Sequence, residues 1–359
     1  MVHCELLPVA NGFQIGVLRL DSPARLNAQT LAMVHALDAA LGAWRERDDV
    51  VAVLVLGEGE RGLCAGGDLK ALYEAMGAAE TLADGDAFFA EEYALCRDLH
   101  FYPKPVVAWG HGVVMGGGWG LFAGAHHRVV TESTRLAMPE IAIGLFPDVG
   151  ASRWLHQLPG HLGRWLALTA SELNATDALW AGAAHAALPD EARAALRPWL
   201  AALPWSGVPL ADATMLRTAL LAWAAATPCR LPAPRWAPLA ERIDALCGGA
   251  TLAEVADGLR AHADDPALAD AVARFQVGSP TSAWLIWALE QRARQVAFHE
   301  VFALETQVAW HVLRSGEFRE GIRARLIDRH DTPHWHARDF YGNLPDEIAA
   351  WLSRDMRTA

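Results

Sequence analysis

The stretch "PVVAWGHGVVMGGGWGLFAGA", Pro105 to Ala125, decides how the fold is read. It carries no Asp, Glu, Lys or Arg over a length that would cross a bilayer. Seven of its residues are glycine, three of them consecutive, which argues against a spanning helix. The pattern predicts a buried strand, a tight glycine turn and the start of a buried helix. Working outward, "FQIGVLRLD" (13–21) alternates like a strand. Thr30 to Arg45 places Leu31, Val34, Leu37, Leu41 and Trp44 on one helical face, and "VVAVLVLGEG" (50–59) is a β-branched run suited to a strand buried on both sides. "HRVVTEST" (127–134) and "RLAMPE" (135–140) supply further short extended pieces, with helical patterns at Leu69 to Met76 and Asp86 to Leu99. Strand and helix alternate, so the class is α/β.

Composition narrows the functional classes. A chain of 359 residues with 53% hydrophobic and 20% charged content has the profile of a well-packed globular protein. The formal charge of −12 disfavours nucleic acid and anionic membrane as partners, since both reward a basic surface. The five cysteines (Cys4, Cys64, Cys96, Cys229 and Cys247) are odd in number and form no CxxC pair, which predicts reduced thiols in a cytoplasmic compartment. The N-terminal "MVHCELLPVANGF" has no basic segment followed by an apolar run, so no signal peptide is expected.

Near Leu188 the texture changes to Ala-, Leu-, Arg- and Trp-rich helical segments, which divides the chain into a core of residues 1–190 and a helical region of 191–359 that serves packing or oligomerisation. "LPWSGVPL" (203–210) and "TPCRLPAPRWAPL" (227–239) read as connections between helices, each with a Trp that favours burial. Ser279 followed by Pro280 is a helix start. Phe298, Val301, Phe302, Glu305, Val308 and Val312 follow helical spacing and read as core or subunit contact.

Three constellations could carry chemistry. "LCAGGDLKAL" (63–72) takes a strand end through Gly66 and Gly67 into a helix, which is either an ordinary tight turn or a place where backbone amides meet a ligand. "GHGVVMGGGWGLF" (110–122) repeats the device at Gly116, Gly117 and Gly118; close helix packing is the alternative, and the spacing is no dinucleotide fingerprint. One amide from each turn could converge on a single oxygen and form an oxyanion hole. The third is "MPEIAIGLFPDVGASRWL" (138–155), which sets Glu140 and Asp148 eight residues apart in apolar surroundings that raise carboxyl pKa values toward the working range of an acid or base. For these two the alternatives are a cap and a Pro-Asp turn. No metal site is persuasive: His126 and His127 are adjacent and point different ways, and "HDTPHWHARDF" (330–340) reads as a polar surface loop. No GxSxG is present.

These motifs, in this order, resemble the crotonase superfamily, the enoyl-CoA hydratase/isomerase fold of repeated ββα units, here with a helical C-terminal region. The resemblance implies that Gly67 and Gly117 supply the oxyanion amides for an acyl-CoA thioester carbonyl, and "LDSPARLNAQTL" (20–31) is similar to the early loop that approaches CoA. Hydratases of the superfamily use two glutamates, one just after the glycine cluster; that position here is Gly120, which cannot exchange a proton. "KPVVAWGHGVVMGGGWGL", "MPEIAIGLFPDVGASRWL" and "AEEYALCRDL" are closer to the 3-hydroxyisobutyryl-CoA hydrolases of valine breakdown, as are "GSPTSAWL" and "EFREGIRARLIDR" further on. That likeness implies Glu140 and Asp148 as the catalytic pair and Glu92 as a substrate contact, although "AEEYAL" also reads as a charged helix face. It further implies an acyl-CoA substrate, no metal or redox cofactor, and a possible homo-oligomer. An enoyl-CoA isomerase or hydratase, and a non-catalytic acyl-CoA binder, are the competing readings.

Overall fold

A computed structural model describes residues 1–329, 332–336 and 339–353. Its elements run β1 (Val2–Pro8), β2 (Gln14–Leu20), α1 (Leu31–Arg45), β3 (Val50–Gly57), β4 (Gly62–Cys64), α2 (Leu69–Ala75), α3 (Leu82–His100), β5 (Val106–Gly110), β6 (Val113–Met115), α4 (Gly117–Ala123), β7 (His127–Val130) and β8 (Arg135–Ala137). Then follow α5 (Ala151–Trp154), α6 (Leu162–Thr169), β9 (Glu172–Asn174), α7 (Ala175–Trp180) and β10 (Ala186–Ala187). Beyond β10 the elements among the described residues are helices: α8 (Arg193–Ala201), α9 (Pro209–Ala226), α10 (Ala240–Cys247), α11 (Leu252–Arg260), α12 (Ala269–Val277), α13 (Pro280–Ala293), α14 (Phe298–Ser315), α15 (Glu317–Ile322) and α16 (Asp346–Ser353).

The strands form two sheets, one in the order β1-β2-β3-β5-β7-β10 and one in the order β4-β6-β8-β9. Successive strand pairs therefore give one strand to each sheet: β3 and β4, β5 and β6, β7 and β8. This is the repeated ββα plan. In the larger sheet β1 pairs with β2 antiparallel and the rest are parallel. All eight residues of β3 are buried, as its unbroken β-branched run requires. The edge strand β1 was not anticipated; Val2 to Pro8 takes its conformation from pairing with β2, Val2 opposite Leu20 through Pro8 opposite Gln14, which no local pattern announces.

The chain divides into two compact units that interleave along the sequence and do not part at residue 190. The first is Met1–Gly67, Leu95–Leu136 and Leu173–Ala237; the second is Asp68–Ala94, Ala137–Glu172 and Pro238–Ala359. The core of the first gathers Ile15, Val17, Leu54, Val107, Trp109 and Val129 from the strands with Leu196, Trp205, Leu216 and Leu220 from the helical part, so α8 and α9 belong to the sheet's own hydrophobic cluster. Trp205 and Trp236, in the two Pro-rich connections, are buried, and Asp177 holds the second connection by accepting the amides of Arg235, Trp236 and Ala237. In the second unit Ser279 caps α13 by accepting the Ser282 amide at 3.0 Å. Buried Arg164 meets Glu290 through two hydrogen bonds of 2.7 and 2.8 Å. Of the polar stretch 330–340, His330, Asp331, Ala337 and Arg338 lie outside the described residues, while the amide of His336 donates to Glu317. Among the described residues no helix is long and apolar enough to cross a membrane.

Candidate active site

In the first unit the two glycine turns lie against each other. Gly66 has φ +97°, and a Cβ added to it would stand 3.3 Å from the Gly117 nitrogen and 3.2 Å from the Met115 carbonyl oxygen, so only glycine lets the backbones come this close. Gly116, at φ 52°, opens α4 as its N-cap, which puts Gly117 at the first helical position, where an amide has no intrahelical acceptor. Gly118 seals α4 onto β4, since a Cβ there would meet the Cys64 carbonyl oxygen at 2.2 Å. The first turn is pinned from the loop 20–31: Gln29 N donates to the Gly66 carbonyl at 2.8 Å, Ala65 N donates to Leu26 O at 3.0 Å, and Gln29 bridges to Gly67. Asn27, in the left-handed region and buried, ties that loop to the carbonyls of Glu58 and Gly62.

In the second unit the three carboxyl groups singled out from the sequence are buried. Glu140 opens a short 3₁₀ turn, Glu140–Ile143, that closes at Gly144 (φ 76°), where the chain packs so tightly that a Cβ would meet the Glu317 carbonyl oxygen at 2.5 Å. Glu140 is 4% exposed and its Oε2 has no hydrogen-bond partner among the described residues. Asp148 is equally buried; its carbonyl accepts the Ala151 amide at 2.8 Å, so the Pro-Asp turn is real, but its side chain does more than close a turn. Its Oδ2 accepts the Tyr93 hydroxyl at 2.6 Å. Glu92 is 2% exposed, which removes the reading of "AEEYAL" as a solvated helix face at that position.

Burial and mutual repulsion shape the acidity of this group. Burial raises Glu140 well above the ordinary carboxyl range, reinforced by the charges of Asp148 and Glu92. Burial raises Glu92 likewise, with Asp148 adding to it. Asp148 is pushed up by burial to about 6, held back from a larger rise by the Tyr93 hydrogen bond. Burial thus moves all three carboxyls upward from the ordinary carboxyl range, the direction that suits a group for exchanging protons with a substrate.

Two residues of this neighbourhood escaped the sequence reading. Tyr93 adjoins Glu92 in the quoted "EEY", but its role depends on a partner 55 residues away. Glu305 was placed on the apolar face of its helix and is indeed wholly buried, yet it accepts the amides of Gly150 and Ser152 at 2.6 and 3.0 Å. The available signal was a lone carboxylate among Val301, Phe302, Val308 and Val312.

Comparison with known proteins places the fold. A family model described as enoyl-CoA hydratase/isomerase matches residues 15–352. The mitochondrial 3-hydroxyisobutyryl-CoA hydrolase of Danio rerio is 35% identical over 323 residues, covering 89% of this chain and 82% of the relative. That of Homo sapiens is 33% identical over 327 residues, covering 90% and 82%. Among solved structures, a carnitinyl-CoA dehydratase from Mycobacterium thermoresistibile superposes with a TM-score of 0.84 at 33% identity, covering 99% of this chain and 96% of that one. An enoyl-CoA hydratase from Rhodobacter sphaeroides 2.4.1 gives a TM-score of 0.81 at 34% identity, covering 98% and 97%. With two sheets fed by ββα units, facing glycine turns and a match over nearly its whole length, this chain belongs to the enoyl-CoA hydratase/isomerase family.

Proposed function

We propose that this protein is an acyl-CoA thioester hydrolase that converts a short 3-hydroxyacyl-CoA, 3-hydroxyisobutyryl-CoA foremost, to the free hydroxyacid and CoA. The observation that carries the proposal is the buried Glu140–Asp148 pair with Tyr93 bound to Asp148, in a chain whose glycine cluster has Gly120 where a hydratase needs a second glutamate. The curated relatives named above carry the hydrolase name, which supports it.

In this reading the amides of Gly67 and Gly117 receive the carbonyl oxygen, where negative charge develops as the carbonyl carbon is attacked; losing one such donor typically costs on the order of 10² to 10³ in rate. Glu140 offers an oxygen with no competing partner, which can take the proton of an attacking water or attack the carbonyl itself to give a mixed anhydride that water then opens. In the water route the proton taken by Glu140 passes to the departing CoA sulfur as the carbon–sulfur bond breaks. In the anhydride route the sulfur leaves as thiolate when the anhydride forms, and the water that opens the anhydride returns the Glu140 carboxylate and supplies the proton that neutralises the thiolate. Asp148, fixed by Tyr93, orients its partner or the substrate hydroxyl, and Glu92 contacts the acyl portion. CoA enters as part of the substrate, and the proposed mechanism uses no metal or redox cofactor. A role in valine catabolism, a cytoplasmic location and a homo-oligomeric state belong to the same proposal; the relatives above are named mitochondrial.

The solved structures of similar identity carry dehydratase and hydratase titles, which favours a lyase as the second reading. The test is CoA thiol release from 3-hydroxyisobutyryl-CoA by the purified protein, with crotonyl-CoA hydration and enoyl isomerisation measured alongside. Fast thiol release with neither other activity is expected. Robust hydration or isomerisation without thiol release would overturn the hydrolase reading, and acyl-CoA binding without any turnover would make the chain a non-catalytic binder.

A further inference from the structure

Asp148 is followed by a pair of residues in an unfavourable backbone conformation. Val149 has φ 54° and Gly150 φ 87°. For a β-branched residue the left-handed region is a genuine outlier, and it persists only where the surroundings impose it. Two side chains of one helix, α14, contribute to this imposition. On α14, Glu305 accepts the Gly150 amide on Oε2 at 2.6 Å and the Ser152 amide on Oε1 at 3.0 Å, so each carboxyl oxygen holds one of two amides that bracket Ala151. One turn earlier on that helix, Phe302 fills the space beside Gly150, where a Cβ would stand 2.7 Å from its ring. The Trp154 indole closes the same loop by donating to the Val149 carbonyl at 3.3 Å. Glu305 itself is fully buried, a costly place for a carboxyl unless its bonds matter.

We propose that Glu305 is a positioning residue for the reaction: by gripping the amides of Gly150 and Ser152 it holds the left-handed Val149–Gly150 turn and thereby keeps the Asp148 carboxyl against the Tyr93 hydroxyl. In this role Glu305 acts through Asp148, by way of the Gly150 and Ser152 amides. This inference rests on the reading of Asp148 as a catalytic group, so its test must separate the two.

The experiment measures thiol release by Glu305→Gln, Asp148→Asn and the double variant, with the pH profile of each active protein and thermal unfolding of all three. Glutamine keeps the shape but presents one acceptor instead of two, so the turn loses a tether while the fold is retained. A displacement of about 1 Å in a reacting group is enough for a loss on the order of 10²-fold, so Glu305→Gln should lower kcat by roughly that factor with KM little changed, and should move the acid limb of its pH profile. In the Asp148→Asn background the same change should have no further effect on residual turnover, because its only route of action is already gone. Turnover and acid limb unchanged in Glu305→Gln, while Asp148→Asn is impaired, would overturn the positioning role and leave the catalytic reading intact. Undiminished turnover in Asp148→Asn would overturn both. Should Glu305→Gln fail to fold, hydrogen exchange at the Gly150 and Ser152 amides of the unaltered protein decides: protection equal to the core supports the grip, and loop-like exchange refutes it.

Discussion

At the scale of single residues, the proposed chemistry rests on carboxyl groups taken out of water. Glu140→Gln removes proton exchange without changing shape, and general acid–base groups contribute typically 10²–10⁴-fold. Turnover should fall by about that range while acyl-CoA binding, followed by calorimetry, persists; unchanged turnover would remove Glu140 from the mechanism. Tyr93→Phe gives a sharper test because its sign is fixed. The Tyr93 hydroxyl stabilises the ionised form of Asp148, whose pKa lies at about 6, so deleting it should raise that value and shift the acid limb of kcat/KM to higher pH. A limb that stays put or moves to lower pH would mean that the limb does not report Asp148. Of these residues Glu140 and Asp148 were legible because carboxylates among apolar neighbours are rare and conspicuous, whereas Glu92, beside Glu91, was indicated only by the resemblance. Tyr93 was not legible, since a tyrosine on a buried helix face looks like ordinary core until its hydroxyl finds a partner.

At the scale of elements, the proposed oxyanion donors are backbone amides, and small residues decide how closely one element approaches another. Gly118 is the case to test. Its Cβ would have to occupy space 2.2 Å from the Cys64 carbonyl oxygen and 2.7 Å from the carbonyl carbon, both backbone atoms that cannot rotate away. Gly118→Ala should therefore push α4 off β4, destabilising by roughly 1–3 kcal/mol, and should lower thiol release beyond the loss of folded protein because the neighbouring Gly117 amide moves with the helix. Wild-type turnover in a stably folded Gly118→Ala would show that the position of this helix end does not matter to the reaction. The glycine turns and the strand–turn–helix order could be read from sequence because both are local signals. The edge strand β1 could not, since its conformation depends on β2.

At the scale of the whole molecule, burying several carboxyls makes stability depend on pH in a definite direction. Glu305 rises from an ordinary value of 4.5 to about 8, chiefly through burial, so between those values the folded protein binds a proton that the unfolded chain has released. Its contribution is thus fully present below pH 4.5 and is lost as pH rises toward 8. Glu305→Gln lacks this dependence, so the difference in Tm between Glu305→Gln and the parent should move in favour of the glutamine variant across that window. A difference that stays constant with pH would show that Glu305 does not titrate there. Across the chain, local periodicity was sufficient for the α/β class, and glycine spacing and isolated carboxylates marked the two turns, Glu140 and Asp148 as candidates, because each is a property of a few consecutive residues; the ββα plan came from the resemblance that these motifs carry in their order. Which residues meet was settled only by tertiary structure: Tyr93 reaches Asp148 across 55 positions and Glu305 reaches Gly150 across 155, and the compact units interleave rather than divide at a change in composition. The physical reason is that such contacts form when apolar faces from distant segments share one core, and no short stretch of sequence carries the identity of its partner.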